Sequence, residues 1–246
     1  MTSRPVDLLG ALKGGRLFLS AVMAILLLAA LGRTFSAAYV EILWQAQTGY
    51  LSVFWRRMFW EWGVRIVCGV GVGALVFANL RIASATLGSI QIRRRFGNLE
   101  ISEQMPKQLV AWGMLASAVL LGFWFGASVP SGLGRLGLLA LNAGPWGLTD
   151  PFLAQDVGFY VFWLPVWEAG VTYALVVTFL LFTLSTAAYA TTGALVWTGG
   201  RLQAQEVTRK HLGAILSVAL LLIAVRLWLG RYGLLLNGNS AVQGIF

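Results

Sequence analysis

Five long apolar stretches constrain this chain more than any other feature of its sequence. A membrane-spanning helix needs about 20 mostly apolar residues to cross about 30 Å of hydrocarbon. Only 11% of the 246 residues are charged, against about 25% in a typical soluble domain, so the charges cannot cover a water-facing surface. The sequence predicts an all-α, polytopic transmembrane helical bundle that forms one transmembrane domain. Its predicted spans cover residues 17–40, 63–83, 109–129, 165–194 and 212–230.

The distribution of basic residues predicts the orientation of these spans. Lys and Arg accumulate in cytoplasmic connections. With the N-terminus inside, eleven of them fall on the cytoplasmic side and five on the outer side. This predicts a multi-pass protein of the plasma membrane with a cytoplasmic N-terminus and the C-terminal end of this chain outside. The net charge of +9 is explained by orientation, so membrane lipids are the expected partners and nucleic acid is not.

Two outer connections are predicted to lie on, or dip into, the outer membrane interface. They cover residues 41–62 and 130–164, and both are long and rather apolar. Most of the 11 tryptophans fall in or next to the outer connections. Tryptophan concentrates at interfaces because its ring is apolar while its N–H needs a polar partner.

Three carboxylates in the second outer stretch are candidate site residues: Asp150, Asp156 and Glu168. Asp150 precedes Pro151, a pair typical of the N-cap and first position of a helix, so a short helix is predicted to begin there. Two interpretations stay open for the three carboxylates. They cap and stabilise local structure, or they bind a cation or a lipid amine.

Three arginines at or near the predicted outer ends of spans are further residues of interest. Arg226 falls within the fifth span, where a charge is costly and points to a function. It lies close enough to the outer end to reach the headgroups, as does Arg65 in the second span. We expect Glu168 to form an ion pair with Arg226, and Glu61 to form one with Arg65. Arg231 follows at the end of the fifth span and is a second candidate for holding a lipid headgroup.

Glycine pairs four residues apart predict close packing of helices. They are Gly69 with Gly73 in the second span and Gly122 with Gly126 in the third. Small residues at this spacing let another backbone approach, either inside the bundle or between the subunits of a homo-oligomer. The run from Gly132 to Gly137 matches a dinucleotide-binding expression, but it does not follow a strand. We interpret it as a flexible loop.

The sequence gives no recognisable catalytic constellation. Cys68 and His211 are its only cysteine and histidine, and they lie far apart in the chain. A zinc site or a histidine-activated nucleophile is therefore not expected, and neither a metal nor a cofactor is predicted. Residues 201–211 are interpreted as a polar cytoplasmic surface segment.

Five sequence blocks in order resemble uncharacterised protein family 0182, a large bacterial family. The blocks are Leu43-Trp44 with Gly49-Tyr50 and Val53-Phe54-Trp55, then Asn79 to Ala83, then Leu141 to Pro165 with its two aspartates, then Arg209 to Leu212, and finally Arg231-Tyr232 with Leu234-Leu235. The resemblance implies about seven N-terminal membrane helices followed by a large extracytoplasmic domain. It therefore implies that this chain is the N-terminal part of a longer protein. It brings no activity, cofactor or catalytic residue.

The leading functional hypothesis is a non-enzymatic anchor or scaffold domain of a cell-envelope protein, which positions an extracytoplasmic region. The alternative is a transporter or lipid-handling protein that binds a headgroup at the outer interface. An integral membrane enzyme ranks third, because the few available carboxylates and arginines form no recognisable reactive set.

Overall fold

The computed structural model describes residues 8–86, 91–96, 99–104 and 107–236 of the backbone, with side chains described over 18–84 and 108–235. Arg4, which contributes to the predicted orientation, and residues 237–246 lie outside the described residues. Internal contacts divide the chain into two units, Met1–Arg56 and Arg57–Phe246. The described part is predominantly helical, which confirms the predicted all-α class.

Within the described residues, five helices are long and apolar enough to cross a membrane, as the sequence predicted. They are α1 (Leu8–Gln47), α2 (Leu51–Thr86), α3 (Lys107–Ala127), α5 (Leu164–Thr191) and α6 (Glu206–Leu236). A shorter helix, α4 (Leu133–Asn142), lies between α3 and α5. Helices α1, α2 and α6 extend at both ends beyond the apolar stretches read from the sequence. Helices α3 and α5 begin one or two residues earlier than predicted and end two or three residues sooner.

The first two helices extend further toward one another than the sequence predicted. Residues 41–62 are not a separate connection, because α1 continues to Gln47 and α2 begins at Leu51. Charged side chains such as Glu41 and Arg56 do not end a helix, since their intrinsic helix propensity is good. The break is made instead at Gly49, whose φ of 79° suits a glycine. Residues 41–62 stay predicted to lie at the outer interface, now as helix ends.

Two short antiparallel hairpins, which the sequence did not predict, follow α2 and α5. The first pairs β1 (Gln91–Phe96) with β2 (Leu99–Gln104), and the second pairs β3 (Leu195–Thr198) with β4 (Arg201–Ala204). The second hairpin turns at Gly199 and Gly200, which have φ values of 59° and 75°. Such a two-glycine turn matches the twist of paired strands. The sequence predicts that the fourth span reaches residue 194, but α5 ends at Thr191, before this hairpin.

The outer stretch 130–164 contains more regular structure than predicted. Gly132 to Gly137 is not a flexible loop, because α4 begins at Leu133, directly after Gly132 in the left-handed conformation. Gly134 lies against α2, where an added Cβ would be 2.6 Å from the Cα of Glu61. This glycine run thus begins a helix, and Gly134 lets the backbone of α4 lie close to that of α2.

Helices α2 and α3 pack through the predicted glycines. A Cβ added at Gly122 would lie 2.7 Å from the carbonyl oxygen of Gly69 and 3.1 Å from the Cα of Gly73. One added at Gly126 would lie 2.8 Å from the carbonyl oxygen of Arg65. These glycines therefore serve packing within one chain, and their use between subunits stays untested.

Among the described side chains, three buried clusters connect the helices of the second unit. The middle cluster joins α2, α3 and α5 through Val76, Ala118 and Leu181, among others. A second cluster lies where α5 begins and α6 approaches its end, and it contains Tyr160 and Tyr232. The third lies at the opposite ends of these two helices. It comprises Ala83, Tyr189 and Ala194, with Leu212 packed against it.

Candidate functional site

The chain from 143 to 163, which we call the outer segment, is organised around two aspartates. Asp156 Oδ1 accepts hydrogen bonds from the backbone N–H of Trp146 at 3.1 Å and of Gly158 at 2.7 Å. Its Oδ2 accepts one from the N–H of Gly147 at 3.0 Å. The bond from Trp146 contributes most to holding the pKa of the Asp156 carboxyl below its ordinary value; partial desolvation opposes this, and the two glycine bonds add to it.

Asp150 caps a turn, whereas the sequence predicted a helix beginning there. Its carboxylate accepts the N–H of Phe152 at 3.2 Å and of Leu153 at 2.6 Å. The turn stops at Ala154, which has a φ of 54°, and a helical conformation resumes only after Asp156. The cap geometry was thus correctly predicted, but left-handed Ala154 prevents the turn from continuing as a helix.

A long-range bond ties this turn to the start of α5. The Tyr160 hydroxyl donates to Asp150 Oδ2 at 3.1 Å. Desolvation raises the pKa of the Asp150 carboxyl, but the bonds from Leu153, Phe152 and Tyr160 together outweigh it, so the pKa is lowered. Tyr160 belongs to a π-helical turn, Phe159–Trp163, that runs directly into α5. Pro165 is the second residue of α5 and, having no N–H, donates no hydrogen bond back to the π-helical turn that precedes it.

Arg231 contributes to the same region from α6. Its guanidinium lies 4.2 Å from the ring centroid of Trp228 and 4.6 Å from that of Tyr232. Its Nη2 donates to the Tyr232 hydroxyl at 2.6 Å. The Tyr232 ring in turn makes edge contacts with Tyr160 and Phe159. Arg231 and Asp150 therefore each bond to a tyrosine of one aromatic assembly, and Asp156 holds the adjoining backbone at Trp146 and Gly158.

Glu168 and Arg226 occupy a different place, a cleft of about 580 Å³ between α3, α5 and α6. Arg226 Nη1 donates to the Thr172 hydroxyl. The predicted Glu168–Arg226 ion pair is absent from the ion pairs of the described side chains, which are Glu61–Arg65 and Glu206–Lys210. Across those same side chains no three acidic, cysteine or histidine residues form a metal-binding group. The three candidate carboxylates thus do not constitute one cation site.

Arg65 has the structural role that its position suggested. Its Nη2 lies 3.1 Å from Glu61 Oε1, and its Nη1 donates to the Ala127 carbonyl at 3.1 Å. Glu61 Oε1 also accepts the N–H of Gly132 at 3.1 Å. This ion pair therefore joins α2 to the end of α3 and to the start of α4.

A half-buried polar network around His211 was missed from the sequence. The Tyr189 hydroxyl lies 2.8 Å from His211 Nδ1, and His211 Nε2 lies 3.0 Å from Asn79 Oδ1. Asn79 Nδ2 donates to the Leu75 carbonyl at 2.7 Å. Because Asn79 then presents its oxygen, Nε2 carries the hydrogen and Nδ1 accepts from Tyr189. The polar segment 201–211 thus ends in a structural residue. Its sequence signal is the block Arg209 to Leu212, which does not indicate its partners.

Comparison with known proteins assigns the chain to a family. The model of an uncharacterised protein family, UPF0182, matches residues 18–246. This chain belongs to the UPF0182 family. A UPF0182 protein of Kocuria rhizophila is 33% identical over 240 residues, which are 92% of this chain and 23% of the relative. One of Mycobacterium ulcerans is 32% identical over 209 residues, 80% of this chain and 20% of the relative.

The UPF0182 relatives are much longer than this chain, which spans about a fifth to a quarter of their length. No solved structure matches the chain. The sequence blocks that carry the resemblance meet in three dimensions: Asn79 contacts His211, and Tyr160 contacts Tyr232. Four of the five blocks thus meet in pairs, one pair near each end of α5.

Proposed function

We propose that this chain is the membrane domain of a cell-envelope protein, a non-enzymatic anchor and scaffold that positions an extracytoplasmic region. The supporting observation is the capped outer segment. Asp150 and Asp156 between them accept five backbone N–H groups and one tyrosine hydroxyl. Backbone organised in this way, and packed on α5 and α6, offers a structured surface at the predicted outer ends of the helices.

The proposal places the chain in the plasma membrane, with the outer segment on the extracytoplasmic side. Alkaline phosphatase fused after Phe246 tests this, because the enzyme needs disulfides that form only in an oxidising compartment. We expect active phosphatase that stays in the membrane fraction after carbonate extraction. An inactive or extractable fusion contradicts the anchor and its orientation.

The positioning role is tested in the protein expressed from its native reading frame. Nitroxide labels at Ser131→Cys and Thr149→Cys, with Cys68 replaced by Ala, report how well the outer segment is fixed. We expect a narrow distance distribution that broadens when Asp156→Asn is added. An equally broad distribution in both proteins contradicts a scaffold built on this segment.

A second candidate function is lipid handling, and the cleft that contains Glu168 and Arg226 favours it. The cleft combines charged groups near the predicted outer end of the helices with apolar walls formed by residues such as Val171 and Val176. This combination suits an amphiphile whose headgroup lies at the interface.

A further inference from the structure

The cleft between α3, α5 and α6 exposes two opposite charges that do not neutralise each other. Glu168 and Arg226 both line it and both are exposed. Among the described side chains neither takes part in an ion pair. Arg226 uses Nη1 for the Thr172 hydroxyl, which leaves further N–H donors directed to no group that the structure describes. Unpaired charges within a membrane helix are costly, so a ligand that pairs both of them would be favoured.

The two charges lie at different depths along the helices. Thr172, which contacts Arg226, follows Glu168 by four residues along α5, a rise of about 6 Å. Glu168 Oε1 lies 3.8 Å from the Cβ position of Gly233, seven residues beyond Arg226 along α6. Both helices therefore place Glu168 nearer the predicted outer surface and Arg226 deeper. Val176, a further turn along α5, continues the cleft as an apolar wall.

We propose that this cleft binds a zwitterionic phospholipid with a primary amine, its phosphate at Arg226 and its ammonium at Glu168. The inference rests on the lipid-handling candidate and specifies its ligand. From the membrane interior outward such a lipid presents acyl chain, phosphate and then amine. The cleft presents Val176, Arg226 and Glu168 in the same order. Arginine pairs well with phosphate oxygens, and a primary ammonium supplies three N–H donors for a carboxylate.

Native mass spectrometry of the protein expressed from its native reading frame tests the proposal. The detergent-solubilised protein is titrated with phosphatidylethanolamine, phosphatidylcholine and phosphatidylglycerol of identical acyl chains. Phosphatidylcholine keeps the phosphate but has no N–H donor, and phosphatidylglycerol has no amine. We expect phosphatidylethanolamine to bind roughly two- to fivefold more tightly than either. This comparison uses the unaltered protein, so it does not depend on a variant that folds.

Variants separate the two charges. Glu168→Gln should remove the preference for phosphatidylethanolamine. Arg226→Gln should weaken the binding of all three lipids by roughly two- to fivefold. Arg57→Gln is the matched control, an exposed arginine outside the cleft. Equal binding of the three lipids, with Arg226→Gln still weakening them, overturns the headgroup assignment but keeps lipid handling. Binding that Arg226→Gln leaves unchanged overturns both, as it would if another protein segment occupied the cleft.

Discussion

His211 Nε2 lies 3.0 Å from Asn79 Oδ1, so that one hydrogen bond joins residues 132 positions apart in the chain. The other imidazole nitrogen contacts the hydroxyl of Tyr189, whose side chain is fully buried. One imidazole thus connects α2, α5 and α6 at the predicted cytoplasmic ends of the helices. A buried polar group that loses its partner carries the full cost of desolvation.

Replacing His211 by Ala should therefore destabilise the protein substantially. We expect a loss of about 1–3 kcal/mol for each of the two polar groups left without a partner, measured by thermal unfolding in detergent. Lys210→Ala is the control from the adjacent position. Its ion pair with Glu206 is exposed, so removing it should cost about 0–1 kcal/mol. Similar losses in the two variants would contradict the structural role of His211.

Gly122→Ala tests the close contact between α2 and α3. The new methyl group would lie 2.7 Å from the Gly69 carbonyl oxygen and 3.1 Å from the Gly73 Cα. Because backbone must move to admit it, we expect a cost of about 1–3 kcal/mol, the usual range for overpacking. Gly113→Ala in the same helix meets nothing within 4 Å and should be neutral or stabilising. An unaffected melting temperature in Gly122→Ala would refute this packing.

Asp156→Asn should loosen the outer segment without a ligand being present. The substituted amide keeps one acceptor oxygen, but its NH₂ group opposes the N–H donors that Asp156 now satisfies. We expect a lower melting temperature and faster hydrogen exchange at the amides of Trp146, Gly147 and Gly158. If Asp156 instead served to hold a cation, the variant would keep its melting temperature in the absence of added cations. It would lose only the increase in melting temperature that added cations cause.

The outer segment should also loosen in acid. Asp150 and Asp156 have folded-state pKa values below the ordinary 3.8, so the unfolded chain binds more protons as the pH falls through this region. Their stabilisation is present above pH 3.8 and is lost progressively as the pH falls through the lowered values. Hydrogen exchange over residues 144–158 at stepwise lower pH, corrected for intrinsic rates, measures this. In the double variant Asp150→Asn and Asp156→Asn, the hydrogen-exchange rate corrected for intrinsic rates should not change with pH.

Cysteine labelling tests the orientation derived from the basic residues. In a Cys68→Ala background, Ser131→Cys before α4 should react with an impermeant maleimide in intact cells. Ser102→Cys in β2 should react only after the cells are lysed. The opposite pattern would exclude a cytoplasmic N-terminus.

Apolar content and glycine spacing predicted much of the architecture. The hydrophobicity of a stretch is read from its consecutive residues alone. Five long apolar stretches therefore indicated five long helices, without knowledge of the helices that pack against them. The glycine pairs of α2 and α3 could be recognised because residues four apart share one helix face. Asp150 was recognisable as a cap, since its bonds reach only two and three residues ahead.

The sequence alone indicated the five long helices, because a long apolar stretch is a property of neighbouring residues. It did not indicate the short helix α4 or the two hairpins. Only the tertiary structure decided which polar groups meet, because such contacts depend on the rotation and register of helices far apart in sequence. Arg226 contacts Thr172 instead of the expected Glu168. The Tyr160 hydroxyl donates a hydrogen bond to Asp150, ten residues earlier in the chain. The sequence block that contains His211 does not indicate its partners, since Asn79 and Tyr189 reach it only when three helices pack in one register.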